Sequence, residues 1–584
     1  MISGYTKNKS VQILIALLKE HGIRRAIISP GTTNLEFTAG LQYDGGFELY
    51  SAVDERSAAY MACGIASRTG EPVIISCTEA TASRDYFPGL TEAYYRKLPI
   101  IAVTGVHRYN LIGHLQPQII DRSVSPKDLV REKVQLPIIK DKEDVWETEL
   151  LVNKALLALK RHGGGPVHID LPCCNQDYLF DVKELPKVKK IEQYSYGDTL
   201  PAIPEGKIAI FIGSHKRFDE EETTLIDNFC SIYDAVVFCD HTSGYKGQYA
   251  FHAGLLSYQK SEYSIFSDIR LLIHLGEPTG DGSTMERFKN VERVWRVSPD
   301  GELRDTFKKL EKVFEMTEKS FFAQIVHHKQ GNKKTYYYAC KELADTISLP
   351  LDELPFSNIY IAAKIAPKIP ENSFVQIGVS NTIRAWTFVD FPDSVETGSN
   401  VGCRGIDGIM SALIGGALVD PQKLHFCILG DLTFFYDMNS LGNRDIKNNV
   451  RILLINNNGG GVMKLSGAPG HRFFGDEIAN QYIAAAGHFG NGSPVLVKSY
   501  VEALGFEYLT ASSKEEFEKV YSHFITPEIV SKPMVFEVFI DAESDRNAFS
   551  MVSGIDVSVA GAAKQIAKQL LGNRGISFVK NLKK

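Results

Sequence analysis

The stretch GDLTFFYDMNSLGNRDIKNNVRILLINNNGGG, residues 430–461, contains side chains suited to holding a metal ion. Asp431 follows one apolar run, and Asn457 follows the next within the segment NNNGGG. Both runs are typical of buried strands joined by a helical crossover, which predicts both side chains at strand carboxyl ends, where open α/β sheets bind ligands. A carboxylate, an amide oxygen and a backbone carbonyl suit Mg²⁺ bound with phosphate oxygens. Glycines would let backbone N–H groups approach a diphosphate, whereas the alternative is two turns that merely end strands.

A second group of side chains could move protons. Glu55 is predicted at the end of a strand and the start of an amphipathic helix, where an acid is also favoured by the helix dipole. His107 follows a predicted strand in VTGVHRYN, and His114 lies in the loop beyond it. Imidazole titrates near neutral pH, which suits proton transfer, although histidines at strand ends are often ordinary loop residues.

The elements that must position these groups alternate between strand-like and helical patterns along the whole chain. This alternation predicts the α/β class, with doubly wound parallel sheets. Polar, proline-bearing stretches divide the 584 residues into three such domains. The predicted segments are a first domain at 1–183, a linker at 184–205, a central domain at 206–345, a linker at 346–357, a third domain at 358–560 and a basic C-terminal helix and tail at 561–584.

Composition excludes several classes of function. The net charge of −6 gives no electrostatic reason for binding nucleic acid or an anionic membrane. The longest apolar runs are strand-sized, so no membrane-spanning segment is predicted. The nine cysteines are scattered without zinc-like spacing, and the N-terminal stretch is typical of a first helix rather than a signal peptide. These features predict a cytoplasmic protein with reduced thiols.

The order G-D, a spacer of one β-α-β unit and N-N resembles the cofactor-binding motif of enzymes that depend on thiamine diphosphate. The resemblance extends over nearly the whole chain, from IISPGTTN through GPVHIDLP and LIHLGEPTG to the motif itself. It implies thiamine diphosphate and Mg²⁺ as cofactors, with the domains in the order pyrimidine-binding, central and diphosphate-binding. It also implies that Asp431, Asn457 and the Gly459 carbonyl hold the metal ion.

Further roles follow from the same resemblance. Glu55 in AVDERSAAY would shift the tautomer of the cofactor's aminopyrimidine ring, and Ile406 in CRGIDG would support the bent cofactor beside Gly405. In this family the carboxylate and the metal motif meet across a subunit interface, which implies a homodimer or a dimer of dimers. The complete cofactor-binding set implied is Glu55, Gly405, Ile406, Asp431, Leu432, Thr433, Asn457, Gly459, Gly460, Gly461 and Val462.

Leu432 and the following YDMNSL indicate the menaquinone-pathway branch of the family. By that resemblance, Ser380 and Arg384 in IGVSNTIRAW would bind the distal carboxylate of a donor such as 2-oxoglutarate, which an arginine can hold bidentately. Gln116 would lie beside the reacting centre, with His114 as a candidate for proton transfer. Arg404 is a candidate substrate residue in place of an arginine that the family carries at position 401.

Four positions depart from that branch. Thr33, Leu115 and Val401 replace polar or cationic residues, and Asp281 replaces part of a basic pair. These changes predict a decarboxylase and carboligase that takes an acid-tailed 2-oxo acid and uses an acceptor other than isochorismate. The alternatives are a menaquinone-pathway synthase acting on isochorismate, a decarboxylase that ligates nothing, and a silent subunit that only binds partners. Glu79 adds a carboxylate for which the resemblance implies no role.

Overall fold

A computed structural model gives the structure and describes residues 4–173, 178–261, 263–327, 329–465, 468–484 and 492–555. The chain forms two compact units. The first comprises Met1–Ser195 and Gly301–Glu315, and the second comprises Tyr196–Asp300 and Met316–Lys584. The predicted C-terminal helix and tail at 561–584 lie outside the described residues. Within the described residues, no helix is both long and apolar enough to cross a membrane.

Helices and strands alternate in the first part of the chain. In order they are α1 Lys9–Glu20, β1 Arg25–Ile28, α2 Leu35–Asp44, β2 Glu48–Ser51, α3 Glu55–Thr69, β3 Val73–Thr78, α4 Thr81–Asp85, α5 Phe87–Arg96, β4 Ile100–Val106, β5 Glu132–Gln135, α6 Lys142–Ala158, β6 Val167–Pro172 and β7 Glu192–Ser195. Local signals set these bounds. The Asp54 carboxylate caps α3 by accepting from the Ser57 backbone N–H at 3.1 Å, and Gly70 ends that helix with φ 70°.

The first sheet is parallel, with strand order β2–β1–β3–β4–β6–β5. Its central strands are almost wholly buried because both faces are covered. Helices α1, α2 and α6 lie on one face, while α3 and α5 pack on the other. The loops after β2, β3 and β4 therefore emerge at one edge of this sheet, the carboxyl edge.

The middle of the chain builds a second parallel sheet. Its elements are β8 Lys207–Ile212, α7 Glu220–Tyr233, β9 Ala235–Cys239, β10 Ala250–His252, α8 Gly254–Ser257, β11 Ile269–Leu275, α9 Gly282–Arg287, β12 Val294–Val297, β13 Leu310–Glu315, α10 Glu318–Val326 and α11 Thr335–Asp345. Strands β10, β9, β8, β11 and β12 pair in that order. Strand β13 belongs to the first unit, where it pairs in parallel with β7.

The last part of the chain forms a third parallel sheet. Its elements are α12 Asn358–Ile365, β14 Phe374–Ile377, α13 Asn381–Trp386, β15 Glu396–Gly398, α14 Ile409–Val419, β16 His425–Gly430, α15 Asp431–Asp437, β17 Val450–Asn456, α16 Pro469–Tyr482, α17 Leu496–Ala503, β18 Glu507–Ala511, α18 Lys514–Phe524, β19 Met534–Phe539 and α19 Ala542–Val552. The strand order is β15–β14–β16–β17–β19–β18. Apolar clusters cover both of its faces.

The predicted fold class is confirmed, since three parallel sheets alternate with helices that cover them. When the strands of each sheet are numbered along the chain from the first strand of that sheet, the first and third sheets have the same strand order, 2–1–3–4–6–5. The predicted domain boundaries stay predictions. Strand β7 lies within the segment 184–205 that the sequence suggests as a linker, and Gly301–Glu315 clusters with the first unit.

Candidate active site

Asp431 and the segment NNNGGG meet at the carboxyl edge of the third sheet. Strands β16 and β17 are parallel neighbours, with Gly430 opposite Ile455, so the residues that follow each strand are adjacent. Asp431 begins α15 and is only 4% exposed. One of its carboxylate oxygens accepts from the Gly459 backbone N–H at 2.8 Å, and the other accepts from the Leu432 N–H at 2.8 Å. The carboxylate therefore already organises the glycine loop.

A buried network beneath that loop fixes its start. The Asn456 side chain donates to Glu537 Oε1 at 2.8 Å and accepts from the Asn458 backbone N–H at 3.1 Å. Tyr508 donates its hydroxyl to the other Glu537 oxygen at 2.8 Å. Burial raises the pKa of Glu537, and the negative charge of Asp431 adds to this shift. Strand β19 thus supplies a partner that holds the end of β17 in place.

The residues of this loop fit a metal ion with a diphosphate. The Asn457 Oδ1 atom is buried and has no hydrogen-bond partner within the described residues, which leaves an oxygen ligand beside the Asp431 carboxylate. A Cβ at position 461 would lie 2.6 Å from Asn457 Nδ2 and 3.0 Å from Asn381 Nδ2, so a larger residue there would have to displace these two amide groups. Gly459 has φ 141°, a conformation that glycine adopts readily. An unpaired amide oxygen near a carboxylate is the donor set that Mg²⁺ takes.

A cavity of about 500 Å³ lies within the second unit and contains most of the predicted substrate side chains. Its lining includes Ser380, Arg384, Arg404, Ile406 and Val462, which were predicted from separate segments of the sequence. Ile406 also packs against the apolar cluster on one face of the third sheet. The cavity therefore combines two guanidinium groups with two carboxylates, those of Asp281 and Glu286, and with apolar side chains.

Arg384 is held in this cavity by a residue that the sequence analysis missed. Its guanidinium donates to Asn381 Oδ1 at 2.8 Å, while Asn381 Nδ2 is buried without a partner among the described residues. The spacing of three residues on helix α13 places both side chains on one face and was the available signal. Ser380, just before the helix, has φ 71° and ψ −127°. Such a backbone costs about 1–3 kcal/mol and tends to occur at ligand-binding positions.

Asp281 lines the same cavity but bonds to its own helix. Its carboxylate caps α9 by accepting from the Thr284 backbone N–H at 3.1 Å and from the Thr284 hydroxyl. Burial raises the pKa of Asp281 to about 6; the bonds from Thr284 oppose the shift, and the charge of Asp240 adds to it. Gly282, next to Asp281, lies close to the guanidinium of Arg404. The acidic group is therefore a fixed part of the cavity wall.

Glu55 lies in the first unit, at the carboxyl edge of the first sheet. It is the first residue of α3 and is half-buried. Burial raises the pKa of the Cys77 thiol to about 12, and the negative charge of Glu55 contributes to this shift. The same charge adds to the burial that raises the pKa of Tyr86. The Glu55 charge therefore acts on two buried groups, one in β3 and one just after α4.

Two other predicted residues of the first unit, His114 and Gln116, lie in the long loop after β4. Both are exposed, and Leu115 between them is 98% exposed with φ 57°. Thr33 is buried, and its hydroxyl contacts the Gly105 carbonyl at 2.8 Å and the Thr78 hydroxyl at 2.6 Å. The internal bonds of Thr33 leave its side chain as part of the protein interior.

The chain is similar to known proteins over most of its length. Residues 8–124 match the family described as thiamine pyrophosphate enzyme, N-terminal TPP binding domain. Three relatives bear the name 2-succinyl-5-enolpyruvyl-6-hydroxy-3-cyclohexene-1-carboxylate synthase. The protein of Phocaeicola vulgatus is 30% identical over 93% of this chain and 97% of its own length. That of Bacteroides thetaiotaomicron is 29% identical over the same shares, and that of Flavobacterium johnsoniae is 28% identical over 83% and 89%. The chain belongs to the family of thiamine diphosphate (thiamine pyrophosphate) enzymes and is related to its 2-succinyl-5-enolpyruvyl-6-hydroxy-3-cyclohexene-1-carboxylate synthases.

Proposed function

We propose that the protein is a Mg²⁺- and thiamine diphosphate-dependent transferase or lyase that decarboxylates a 2-oxo acid with an acidic tail and passes the acyl group to an acceptor. The observation that carries this proposal is the cavity that contains both Arg384 and Arg404 beside Ser380 and Ile406. The lining also contains the carboxylates of Asp281 and Glu286, but the Asp281 carboxylate bonds to its own helix, and the two guanidinium groups can pair with an anionic ligand.

The loop after β17 would hold the cofactor. Asp431, Asn457 and the Gly459 carbonyl would bind Mg²⁺, and the backbone N–H groups of the glycine run would face the diphosphate. When bound there, thiamine diphosphate would supply a carbon nucleophile for the 2-oxo group and an electron sink for decarboxylation. Ile406 would support the cofactor rings. The remaining cofactor positions are Gly405, Leu432, Thr433, Gly460, Gly461 and Val462.

The other roles fall to the chain's own side chains. Glu55 would exchange a proton with the aminopyrimidine ring and hold it in the reactive tautomer. Arg384 and Ser380 would orient the donor by its distal carboxylate, with Arg404 as a second cation and Asn381 fixing the Arg384 guanidinium. Orientation of this kind lowers the barrier because the reacting groups are already aligned.

Four side chains bear on the identity of the acceptor. We propose an acceptor other than isochorismate because Val401 and Leu115 offer no hydrogen bonds and the Thr33 hydroxyl is bonded internally. Asp281 adds an acidic group to the cavity wall, which disfavours a diacid. The second candidate is synthesis with isochorismate, and the relatives' shared name over nearly their full length supports it.

We propose that the working unit is a homodimer or a dimer of dimers in the cytoplasm, with each active site taking Glu55 from one chain and Asp431 from another. The enzyme is preferred over a silent binding subunit because the carboxylate, the metal-binding loop and the donor cavity are all intact. Gln116 and His114 would reach the reacting centre from their exposed loop.

The test is a panel of 2-oxo acids, assayed for CO₂ release with the cofactor and Mg²⁺ present. We expect 2-oxoglutarate or a donor with a similarly placed acid group to exceed pyruvate. Isochorismate is then added, and the ligated product is sought by mass spectrometry. Efficient ligation to isochorismate would favour the menaquinone-pathway synthase. CO₂ release that isochorismate leaves unchanged would favour an enzyme with another acceptor. No CO₂ from any donor would refute both functions.

A further inference from the structure

Glu79 and His107 form a carboxylate–imidazole pair at the carboxyl edge of the first sheet. The Glu79 side chain is only 5% exposed, whereas the His107 side chain is 37% exposed. Glu79 Oε1 accepts from the His107 backbone N–H at 3.2 Å and also contacts His107 Nδ1. A buried carboxylate is thus joined to a ring that reaches the surface.

The pair occupies the same places in the first sheet as the metal-binding residues occupy in the third. Glu79 directly follows β3 as Asp431 directly follows β16, and His107 directly follows β4 as Asn457 directly follows β17. These strands correspond because the two sheets have the same strand order. Each carboxylate also accepts a backbone N–H from the loop after the next strand. The pair therefore lies at an edge where α/β sheets bind ligands.

The contact fixes the chemistry of the imidazole. A carboxylate only accepts hydrogen bonds, so Nδ1 must carry the hydrogen and Nε2 is left to exchange a proton with something else. Within the described residues, Nε2 has no partner. A carboxylate behind a histidine also fixes the orientation of the ring, as it does in hydrolase triads.

The loop that carries His107 is bonded to a neighbouring strand of the first sheet. Tyr109 donates its hydroxyl to Asp170 at 3.1 Å, and Asp170 forms a buried ion pair with Arg122. The loop that carries His107 is thereby joined to β6. These bonds already attach the loop to the sheet, and the Nε2 atom of His107, which has no partner within the described residues, contributes nothing to them.

We propose that His107 is the proton donor in the acceptor half of the reaction and that Glu79 is its positioning residue; this rests on the proposed function. As the new C–C bond forms, the electron pair displaced from the acceptor's double bond takes the proton from Nε2. The N–H bond breaks, a bond to hydrogen forms on the acceptor, and the imidazolium becomes neutral.

The test separates the two halves of the reaction. We expect His107→Gln to release CO₂ from the donor within about threefold of the unmodified protein but to ligate the acceptor about 10²-fold more slowly. Glu79→Leu should lose ligation about 10-fold or more, and Glu79→Gln, which keeps an acceptor oxygen, should lose less. Imidazole added to His107→Gly should restore part of the ligation rate. The exposed pair His523 and Glu507, bonded at 2.8 Å, provides the matched control variants His523→Gln and Glu507→Leu.

A second readout does not depend on turnover. With histidine labelled with ¹⁵N, the neutral His107 ring should be the Nδ1–H tautomer, and Glu79→Leu should abolish that preference while Glu507→Leu does not. Unchanged ligation in His107→Gln, with donor decarboxylation intact, would overturn this inference alone. Equal losses in both halves would also overturn it. Failure of the unmodified protein to release CO₂ from any 2-oxo acid would instead refute the proposed function, and this inference with it.

Discussion

Arg384 provides the most direct test of how the donor is recognised. The residue is half-buried in a cavity of about 500 Å³, and Asn381 Oδ1 holds its guanidinium at 2.8 Å. Arg384→Ala removes the cation and leaves a donor carboxylate without its partner. A hydrogen bond to a charged group contributes about 1.5–3 kcal/mol. A guanidinium can form two such bonds with a carboxylate, but Arg404 remains in the cavity and offsets part of their loss. We therefore take a total loss of about 3 kcal/mol, which corresponds to a fall of about 10²-fold in kcat/KM.

The measurement is the ratio of kcat/KM for 2-oxoglutarate to that for pyruvate, followed as CO₂ release. We expect this ratio to fall about 10²-fold in Arg384→Ala, because pyruvate has no distal carboxylate to lose its partner. Asn381→Ala should lower it less, by about 10-fold, since the guanidinium remains but is no longer oriented. Arg444→Ala, which changes an exposed arginine, is the matched control. Equal losses for both donors, or an unchanged ratio, would refute the assignment of Arg384 to the distal carboxylate.

Three further predictions concern the cofactor, the assembly and the interior. Asp431→Ala should fold but bind thiamine diphosphate and Mg²⁺ much more weakly by titration calorimetry, and unchanged affinity would contradict the metal site. Glu55→Gln should bind the cofactor yet slow hydrogen–deuterium exchange at the thiazolium carbon. Mixing the inactive Glu55→Gln and Asp431→Ala chains should make about a quarter of the active sites functional again, because one of the two sites in each hybrid dimer carries neither change. A fully active monomer would contradict a shared site. Asp545 is buried, and burial raises its pKa to about 6. The cost of its ionisation to the free energy of unfolding is therefore absent below the pKa of an unfolded Asp, near 4, and complete above about pH 6. Asp545→Asn can still accept from the Asn358 N–H. Its free energy of unfolding should therefore rise by up to about 3 kcal/mol at pH 7.5 and not at all at pH 4. An equal rise at both pH values would contradict this.

Much of the fold could be predicted because its strands are continuous apolar runs. Val450–Asn456 is buried at every position, which is typical of a central strand of a parallel sheet covered on both faces. The sequence of β7 predicts a linker because it lies in a polar stretch with prolines, and its pairing with β13 joins segments far apart in sequence. Such pairing leaves no local pattern in either segment.

The candidate site was predictable only in part, for a similar reason. Asp431 and Asn457 follow strands with an obvious apolar signature, so their meeting could be foreseen from topology alone. The Asn381 contact depends on a side-chain rotamer, which composition and periodicity do not specify. From the sequence alone, Glu79 is a carboxylate without an implied role and His107 is a histidine after a predicted strand. Their pairing depends on the register of β3 with β4, where Thr78 lies opposite Gly105.

The pairing of β7 with β13 has a consequence for how the chain is synthesised. The ribosome completes β7 before it makes the central sheet, but the parallel partner of β7 lies in residues 310–315. Until then both edges of β7 are unpaired, because β13 is its only neighbouring strand within the described residues, and unpaired edges are open to pairing with other chains. The first unit thus cannot finish folding as soon as its N-terminal segment emerges; it must wait until the chain has passed through the second unit and returned. Slower translation over residues 196–300 would lengthen that exposure and favour aggregation of the nascent chain.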